Sequence, residues 1–202
     1  MILNLTLNLK MKVIQLHQEE KQLIMLAVEN NRQAQQQIYA KFSSKMLSVC
    51  RQYIKDIHHA EDVMITGFMK VFTNLKNFEH KGSFEGWIRR IMIYECIDFI
   101  RVKKNNFNHQ DIDDVTVSEN ESVYEMEDFS VDDIQNMIDN LPDGYKMVFN
   151  LYAIEGYKHQ EIAEMLKISE GTSKSQLSHA RKLLQQQITD LKNKLNDIAT
   201  IR

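Results

Sequence analysis

The feature that most constrains the fold of this chain is a segment of 29 residues, 105–133, with ten acidic side chains and no Lys or Arg. Residues 1–104 carry 16 basic and 10 acidic side chains, and residues 134–202 carry nine and eight. The formal net charges of the three segments are therefore +6, −10 and +1, which sum to −3. The acidic segment lacks helical periodicity and has too little apolar surface to form a core, so we expect a flexible linker between folded domains.

Both flanking segments carry apolar residues at helical spacing. The first has three such stripes, Ile38 to Tyr53, Ala60 to Leu75 and Phe84 to Phe99, with Ser83 as the expected N-cap of the third. Six glycines and one proline in 202 residues leave few turns for a strand-rich fold. The sequence predicts an all-α protein of two small helical domains joined by the linker. We expect a poorly ordered extension over 1–21, domains over 22–104 and 134–191, and a helical tail over 192–202.

The composition excludes several classes of protein. No apolar run approaches the roughly 20 residues of a membrane span, so we expect no membrane insertion. Cys50 and Cys96 lie within apolar stripes, which indicates buried thiols in a reducing cytoplasm. His58, His59 and Asp62 are the nearest approach to a metal site, but adjacent histidines point apart on a helix. No nucleophile with a base and no Gly-rich phosphate loop is visible, so we predict no metal, no cofactor and no enzyme activity.

The third predicted helix carries a second, polar stripe formed by Arg90, Tyr94, Asp98 and Arg101. Trp87 lies near its start, and the basic pair Lys103 and Lys104 follows its end. Cations neutralise phosphates while flat rings stack on unpaired bases, so this pattern is typical of a nucleic-acid-binding face. The alternative is a solvated helix face with a tryptophan in the core.

Residues 141–188 have the pattern of a helix-turn-helix. A short helix over 159–166 is followed by a turn at 167–169, where Ser169 can cap a longer polar helix. The second helix would enter the major groove by its N-terminal half. The exposed candidates there are Thr172, Ser173, Lys174, Ser175, Gln176 and His179, with Arg181 and Lys182 better placed for phosphates. The alternative is a structural helical hairpin, and the near-neutral charge of this segment predicts weak DNA binding by the domain alone.

Two parts of the chain together resemble one protein family. AEDVMITGFMKVFTNLKNF (60–78) and GSFEGWIRRIMIYECIDFIRVKK (82–104) resemble the second conserved region of sigma-70-type RNA polymerase initiation factors. LPDGYKMVFNLYAIEGYKHQEIAEMLKISEGTSKSQLSHARKLL (141–184) resembles their fourth region. A chain with only these two regions has the layout of the extracytoplasmic-function (ECF) subgroup.

The resemblance implies a promoter-specificity factor that binds core RNA polymerase and promoter DNA in the cytoplasm. By resemblance, the first domain docks on the β′ clamp, through a surface that includes Glu61, Asp62, Phe68 and Lys70. The minus-ten element is then read and melted by the face that carries Trp87, Arg89, Arg90, Tyr94, Asp98, Arg101, Lys103 and Lys104. The second domain reads the minus-thirty-five element through residues 170–182 and contacts the β subunit, and a dedicated anti-sigma factor is a further expected partner.

The chain departs from the family pattern in both domains. Ile65 and Thr66 stand where many relatives have Gln-Glu, so we expect altered polymerase contacts there. Tyr94 replaces a common asparagine, which predicts a different minus-ten preference.

In the second domain, Gln176 and His179 stand where arginines are frequent. Because Gln can pair with adenine, we expect a minus-thirty-five preference that contains more adenine. Lys167 replaces the usual glycine of the turn, so we expect the turn to avoid a left-handed conformation.

Other functions fit parts of the sequence. The acidic linker can serve solubility and self-avoidance, or it can occupy a basic channel of a partner in the manner of nucleic acid. A stand-alone helix-turn-helix regulator would explain residues 141–188 but not the face that begins at Trp87. A pure interaction module would use the tail stripe Ile188, Leu191, Leu195 and Ile198, but we prefer to interpret the tail as a longer last helix.

Overall fold

The computed structural model describes residues 18–106 and 130–200, and for residues 104–106 and 194–200 it describes the backbone only. Within these two ranges every regular element is a helix, which confirms the predicted fold class. The chain divides into two compact units. Of the described residues, the first comprises 18–50 and 58–95, and the second comprises 51–57, 96–106 and 130–200.

Among the described residues, four helices contribute to the first unit, and all but the first of them also include residues that belong to the second unit. They are α1 over residues 18–28, α2 (Arg32–Tyr53), α3 (Ile57–Asn74), which ends in a 3-10 turn (Leu75–Asn77), and α4 (Phe84–Asn106).

The apolar stripes predicted from the sequence form the core of this unit. All predicted inward residues of α2 and α3 are buried, and so are those of α4 except the half-buried Phe99. Ser83 caps α4 as predicted, since its Oγ accepts a hydrogen bond from the Gly86 N–H at 3.0 Å. Helices α3 and α4 pack so closely that a Cβ at Gly67 would clash with Sδ of the buried Met92.

The second unit contains the remaining helices. They are α5 (Val131–Asp139), α6 (Asp143–Phe149), which continues directly into a π-helical turn (Asn150–Ile154), α7 (His159–Leu166) and α8 (Glu170–Thr200). Helix α8 packs on α6 and α7 and buries Leu177 and Ala180 as predicted, whereas Leu184 and Ile188 are half-buried. The unbroken run of α8 to Thr200 agrees with a longer last helix.

Helices extend into both ends of the expected linker. Helix α4 continues to Asn106, and α5 begins at Val131, three residues before the expected domain boundary. A capping box explains this start: the Ser130 Oγ accepts from the Asp133 N–H, and the Asp133 carboxylate accepts from the Ser130 N–H, each at 3.1 Å. Negative charge also suits a helix N-terminus. Residues 107–129 lie outside the described ranges, as does the predicted extension up to residue 17, so their expected flexibility stays a prediction.

The turn between α7 and α8 is left-handed, so the prediction for Lys167 is wrong. Lys167 closes α7 with φ 57° and ψ 45°. The Ile168 N–H then donates to the Ala163 carbonyl at 3.1 Å, which satisfies one of the last carbonyls of α7. The helix end requires this conformation whether or not the residue is glycine. Ser169 caps α8 as predicted, because its Oγ accepts from the Thr172 N–H at 2.9 Å.

A buried ionic cluster lies within the second unit. The Asp139 side chain is fully buried, 2.7 Å from the Arg51 guanidinium and 3.6 Å from Nζ of the buried Lys146. Burial lowers the pKa of Lys146, and the neighbouring Asp139 carboxylate opposes that shift. Asn150 is also fully buried, and its Nδ2 donates to the Gln52 carbonyl at 2.8 Å.

Candidate nucleic-acid interfaces

Three residues of the polar stripe predicted on α4 are exposed on one face. Arg90, Tyr94 and Asp98 follow one another at intervals of four residues, so each lies about 40° around the helix from the last. The guanidinium carbon of Arg90 lies 5.9 Å from the centroid of the Tyr94 ring, which is a cation–π distance. Lys103 is also exposed, but it follows Asp98 by five residues and so lies about 140° around the helix from it, and the side chain of Lys104 lies outside the described residues. This face presents a cation beside a flat ring, the pair that binds a phosphate and an unpaired base.

Trp87 lies at the start of this face in an aromatic cluster. Its ring stacks on Phe84 with centroids 5.9 Å apart and lies 5.5 Å from the ring of Phe78, which in turn lies 4.7 Å from His80. Phe78 and Phe84 are buried, whereas Trp87 is half-buried. The core therefore orients Trp87, and part of the indole stays accessible for stacking.

Two other predicted members of the face are placed differently. Arg89 precedes Asp98 by nine residues, or two and a half turns, so it lies on the opposite side of α4. Arg89 is half-buried and lies about 100° around the helix from Arg90, so its contact with the minus-ten element stays a prediction. Arg101 is half-buried, and its guanidinium binds the Asp98 carboxylate at 2.9 Å and the Met165 carbonyl at 3.5 Å.

Helix α8 presents one exposed ridge in its N-terminal half. Lys174, Ser175 and Arg181 are exposed on it as predicted, and Ser178, which is not among the predicted residues, is exposed on it too. The signal for Ser178 was present in the spacing, because it follows Lys174 by four residues and Ser175 by three. The ridge is polar and carries two cations, which suits contact with duplex DNA.

Ser173 is not exposed, so its prediction as a groove-facing residue is wrong. Its exposed fraction is 0%, and its Oγ lies 2.9 Å from Nδ1 of His159 at the start of α7. Thr172 is half-buried beside the Ser169 cap, with 2.8 Å between the two hydroxyl oxygens. Both residues therefore join α8 to the turn and to α7.

Gln176 and His179 face the body of the second unit and are half-buried. A Cβ on Gly144 would lie 3.3 Å from Nε2 of Gln176, so the Gln176 amide packs against α6. The His179 ring stacks on Tyr145 with centroids 5.4 Å apart. The prediction that both are exposed is wrong, and the argument that Gln176 pairs with adenine loses its geometric basis.

The first turn of α8 is less basic than its sequence suggests. Nζ of Lys174 lies 2.7 Å from the Glu170 carboxylate. Hydrogen bonding to Lys174 lowers the pKa of Glu170, so the carboxylate is ionised at neutral pH and offsets that cation. Lys182 is half-buried further along the helix.

One of the four residues of α3 that were predicted to contact RNA polymerase is buried in the core. Phe68 is 2% exposed and packs against the Tyr39 ring at 4.8 Å, so its prediction as a surface contact is wrong. Asp62 and Lys70 are exposed, Lys70 pairs with the buried Glu95, and the half-buried Glu61 lies 3.8 Å from His58. The same surface of α3 also exposes two large apolar side chains, Ile65 and Met69.

Among the residues that the structure describes, no group of three His, Cys, Asp or Glu side chains is arranged to hold a metal ion. No helix in that part of the chain is long and apolar enough to span a membrane.

Comparison with known proteins identifies the family. Residues 38–106 match the family Sigma-70 region 2, and residues 131–184 match Sigma-70, region 4. The first match runs from within α2 to the end of α4, and the second runs from α5 to the middle of α8, so together they include the predicted faces. The chain is therefore a sigma-70-type RNA polymerase initiation factor.

More narrowly, it belongs to the ECF group. It is 30% identical over 163 residues to the ECF RNA polymerase sigma factor SigW of Bacillus subtilis (strain 168), covering 74% of this chain and 86% of that one. It is 22% identical to the ECF RNA polymerase sigma-E factor of Haemophilus influenzae, covering 85% and 96%. Its fold is similar to that of RpoE from Bartonella quintana, solved in complex with the anti-sigma factor NepR. That comparison has a TM-score of 0.51 at 18% identity and covers 76% and 96% of the two chains.

The family defines what the protein does. Sigma factors bind core RNA polymerase and promoter DNA and direct the initiation of transcription, and they are not enzymes.

Proposed function

We propose that the exposed face of α4 binds the melted minus-ten element and that the α8 ridge binds minus-thirty-five duplex DNA. The observation that carries the first part is the stack of Arg90 on Tyr94, on the same side of α4 as the half-buried Trp87. A base flipped out of the duplex needs an aromatic surface, and the backbone beside it needs a cation. Both groups are available here without rearrangement of the core.

The α8 ridge supports the second part. Lys174, Ser175 and Ser178 lie in the first half of the helix, which is the part that a helix-turn-helix inserts into the major groove. Arg181 lies one turn further along, where a helix leaves the groove and meets phosphates. We therefore replace the Gln176-based hypothesis with one in which these four residues contact DNA.

We further propose that core RNA polymerase binds the exposed surface of α3. Asp62 and Lys70 provide charge there, and the apolar pair Ile65 and Met69 substitutes for polar contacts that many relatives would make. An exposed apolar pair rimmed by charges is typical of a protein-binding surface. The acidic segment 105–133 would occupy a basic channel of the polymerase, and an anti-sigma factor would cover the DNA-binding faces in the cytoplasm.

Run-off transcription with core polymerase from the source bacterium and a promoter library tests the DNA assignments. Adjacent arginines provide a matched pair, because Arg90 lies on the proposed face and Arg89 on the opposite side of α4. We expect Arg90→Ala and Tyr94→Ala to reduce open-complex formation about tenfold or more, and Arg89→Ala to reduce it less. Equal losses at both arginines, or a loss confined to Arg89→Ala, would contradict the proposed face.

The same assay separates this function from a stand-alone regulator. A sigma factor forms a complex with core polymerase that migrates as one species and starts transcripts at defined positions. A regulator would bind duplex DNA without joining the polymerase. We expect Met69→Glu to weaken the polymerase complex while circular dichroism and thermal unfolding stay close to wild type, because 66% of Met69 is exposed.

A further inference from the structure

The helix-turn-helix contains a polar and aromatic network whose centre, Tyr152, is used by none of the assignments above. Tyr152 lies in the π-helical turn that follows α6. The ring of His159 stacks on Tyr152 with centroids 4.7 Å apart and planes at 22°. The guanidinium carbon of Arg181 lies 5.7 Å from the centroid of the same ring. Tyr152 therefore contacts side chains from both helices of the helix-turn-helix.

The contact with His159 is anchored in the interior. Nδ1 of His159 lies 2.9 Å from the Ser173 hydroxyl, which is fully buried in the first turns of α8. A ring that is hydrogen-bonded through one nitrogen and stacked on one face has little rotational freedom. His159 is thus fixed against α8, and it fixes the ring of Tyr152 in turn.

The backbone at Tyr152 is also unusual. The Glu155 N–H donates to the Asn150 carbonyl at 3.0 Å, a bond between residues five apart. This π-helical turn inserts one extra residue, and side chains after it are rotated by about 100° relative to a continuous α-helix. Such turns recur at functional sites because they redirect side chains. Here the turn contains the ring that contacts Arg181.

We propose that Tyr152 is a positioning residue of the DNA interface, and that its ring, held by His159, fixes the Arg181 guanidinium for contact with the DNA backbone. The inference depends on the proposed role of Arg181 as a DNA contact. A free arginine loses rotamer entropy when it binds a phosphate, and one held on an aromatic face has lost part of it already. The stack therefore strengthens DNA binding without Tyr152 touching DNA.

A double-mutant cycle in the holoenzyme tests the proposal. The probe is a labelled duplex that the wild-type holoenzyme selects from a library randomised over the minus-thirty-five element. We expect Tyr152→Leu to weaken binding about two- to tenfold, the range expected for one side chain that loses its preorganisation. In an Arg181→Ala background, the same substitution should change binding less than twofold. Tyr152→Phe keeps the aromatic face and should recover most of the affinity lost in Tyr152→Leu.

Each possible result shows which of the two proposals fails. If Arg181→Ala leaves binding unchanged, the DNA contact under the proposed function is wrong and the positioning role falls with it. If Arg181→Ala weakens binding but Tyr152→Leu does not, only the positioning role is overturned. If Tyr152→Leu weakens binding equally in both backgrounds, Tyr152 acts through the fold and not through Arg181, which also overturns the proposal. Thermal unfolding of each variant identifies losses that come from stability.

Discussion

Lys167 shows how a helix end can impose its geometry on an unfavourable residue. A left-handed conformation costs an L-residue other than glycine about 1–2 kcal/mol. The chain adopts it at Lys167 because the following N–H reaches the Ala163 carbonyl and because Ser169 must be in place to cap α8. The sequence pattern did not reveal this, since a Lys in place of Gly suggested a different turn. The tertiary arrangement of two helices outweighed the local preference.

Lys167→Gly should therefore stabilise the protein. Glycine removes the steric cost at φ 57° but raises the entropy of the unfolded chain, so we expect a net gain of about 0.5–1 kcal/mol. Urea unfolding, monitored by circular dichroism, measures this gain in the free energy of unfolding. Lys167→Val provides the opposite control, because a β-branched side chain is least compatible with this conformation. A Val variant as stable as the Gly variant would contradict the strain argument.

Asp139 is the carboxylate whose loss should cost most. Asp139→Asn leaves Arg51 and the 5%-exposed side chain of Lys146 without their buried counter-charge, so we expect a loss of about 3–5 kcal/mol. Glu85→Gln is the matched control, because it breaks an exposed pair with Lys45 at a similar distance, 2.8 Å, and should cost less than about 1 kcal/mol. Equal losses in urea unfolding would show that burial does not decide the cost.

The pH dependence of the Asp139→Asn variant has a definite sign. The pKa of Lys146 is lowered by burial, and without Asp139 it should fall further. A lysine whose folded pKa lies below its unfolded value binds fewer protons when folded, so stability rises with pH through that window. The free energy of unfolding that the variant loses relative to wild type should therefore be larger at pH 7 than at pH 9.5. A deficit that grows with pH would mean that Lys146 is not the group left uncompensated.

At the scale of the element, helix α5 shows how acidic residues at the edge of a linker become helical. Asp132 and Asp133 lie in its first turn, and the Ser130 capping box satisfies N–H groups that would otherwise have no partner. Their charge alone predicts that both residues belong to the linker, whereas their position after a serine indicates a helix start. A serine followed three residues later by an acidic residue and an apolar stripe is a helix start.

We expect Ser130→Ala to fray the first turn of α5. Hydrogen bonds to Ser130 lower the pKa of Asp133, so this cap contributes stability above the ordinary pKa of an aspartate, and the contribution is lost as the pH falls through the lower folded value. Hydrogen exchange of the α5 amides at neutral pH should be faster in Ser130→Ala than in wild type. The difference should shrink at acid pH, and a difference that does not depend on pH would exclude Asp133 as the titrating group.

At the scale of the whole molecule, the distribution of charge matters more than its sum. The net charge of −3 consists of +6 before the acidic segment, −10 within it and +1 after it. Negative charge tethered to a DNA-binding chain competes with phosphates for the same cations and weakens non-specific binding. We therefore expect the free protein to bind DNA weakly and to gain affinity when the acidic segment is neutralised.

Amide substitution at six acidic residues tests this, since it changes the formal net charge from −3 to +3. The residues are Asp111, Asp113, Asp114, Glu119, Glu121 and Glu125. We expect the affinity of the free chain for random-sequence duplex DNA to rise about tenfold at 50 mM salt, with most of the gain lost at 300 mM. A variant with residues 111–128 in shuffled order is the control, and it should bind like wild type. If shuffling alone raises the affinity, the order of the residues matters and not their charge.

The sequence determined which residues are buried more reliably than which are exposed. The stripes on α2, α3 and α4 predicted the core because an apolar side chain at helical spacing has one favourable place, away from water. The exposed faces were predicted less well, since a polar residue can face solvent or pack against a neighbouring helix at little cost. Ser173 and Gln176 are polar, but both pack inward because His159 and Gly144 meet them there.

By itself, the sequence determined the helical class, the two regions of a sigma factor and the acidic segment between them. These depend on periodicity, composition and local motifs, which are properties of neighbouring residues. Only the tertiary structure decided that Ser173 packs on His159, that Gln176 packs against α6, and that Tyr152 contacts Arg181. Those relations join residues of different helices. Packing between helices sets these relations, and no local sequence pattern predicts them.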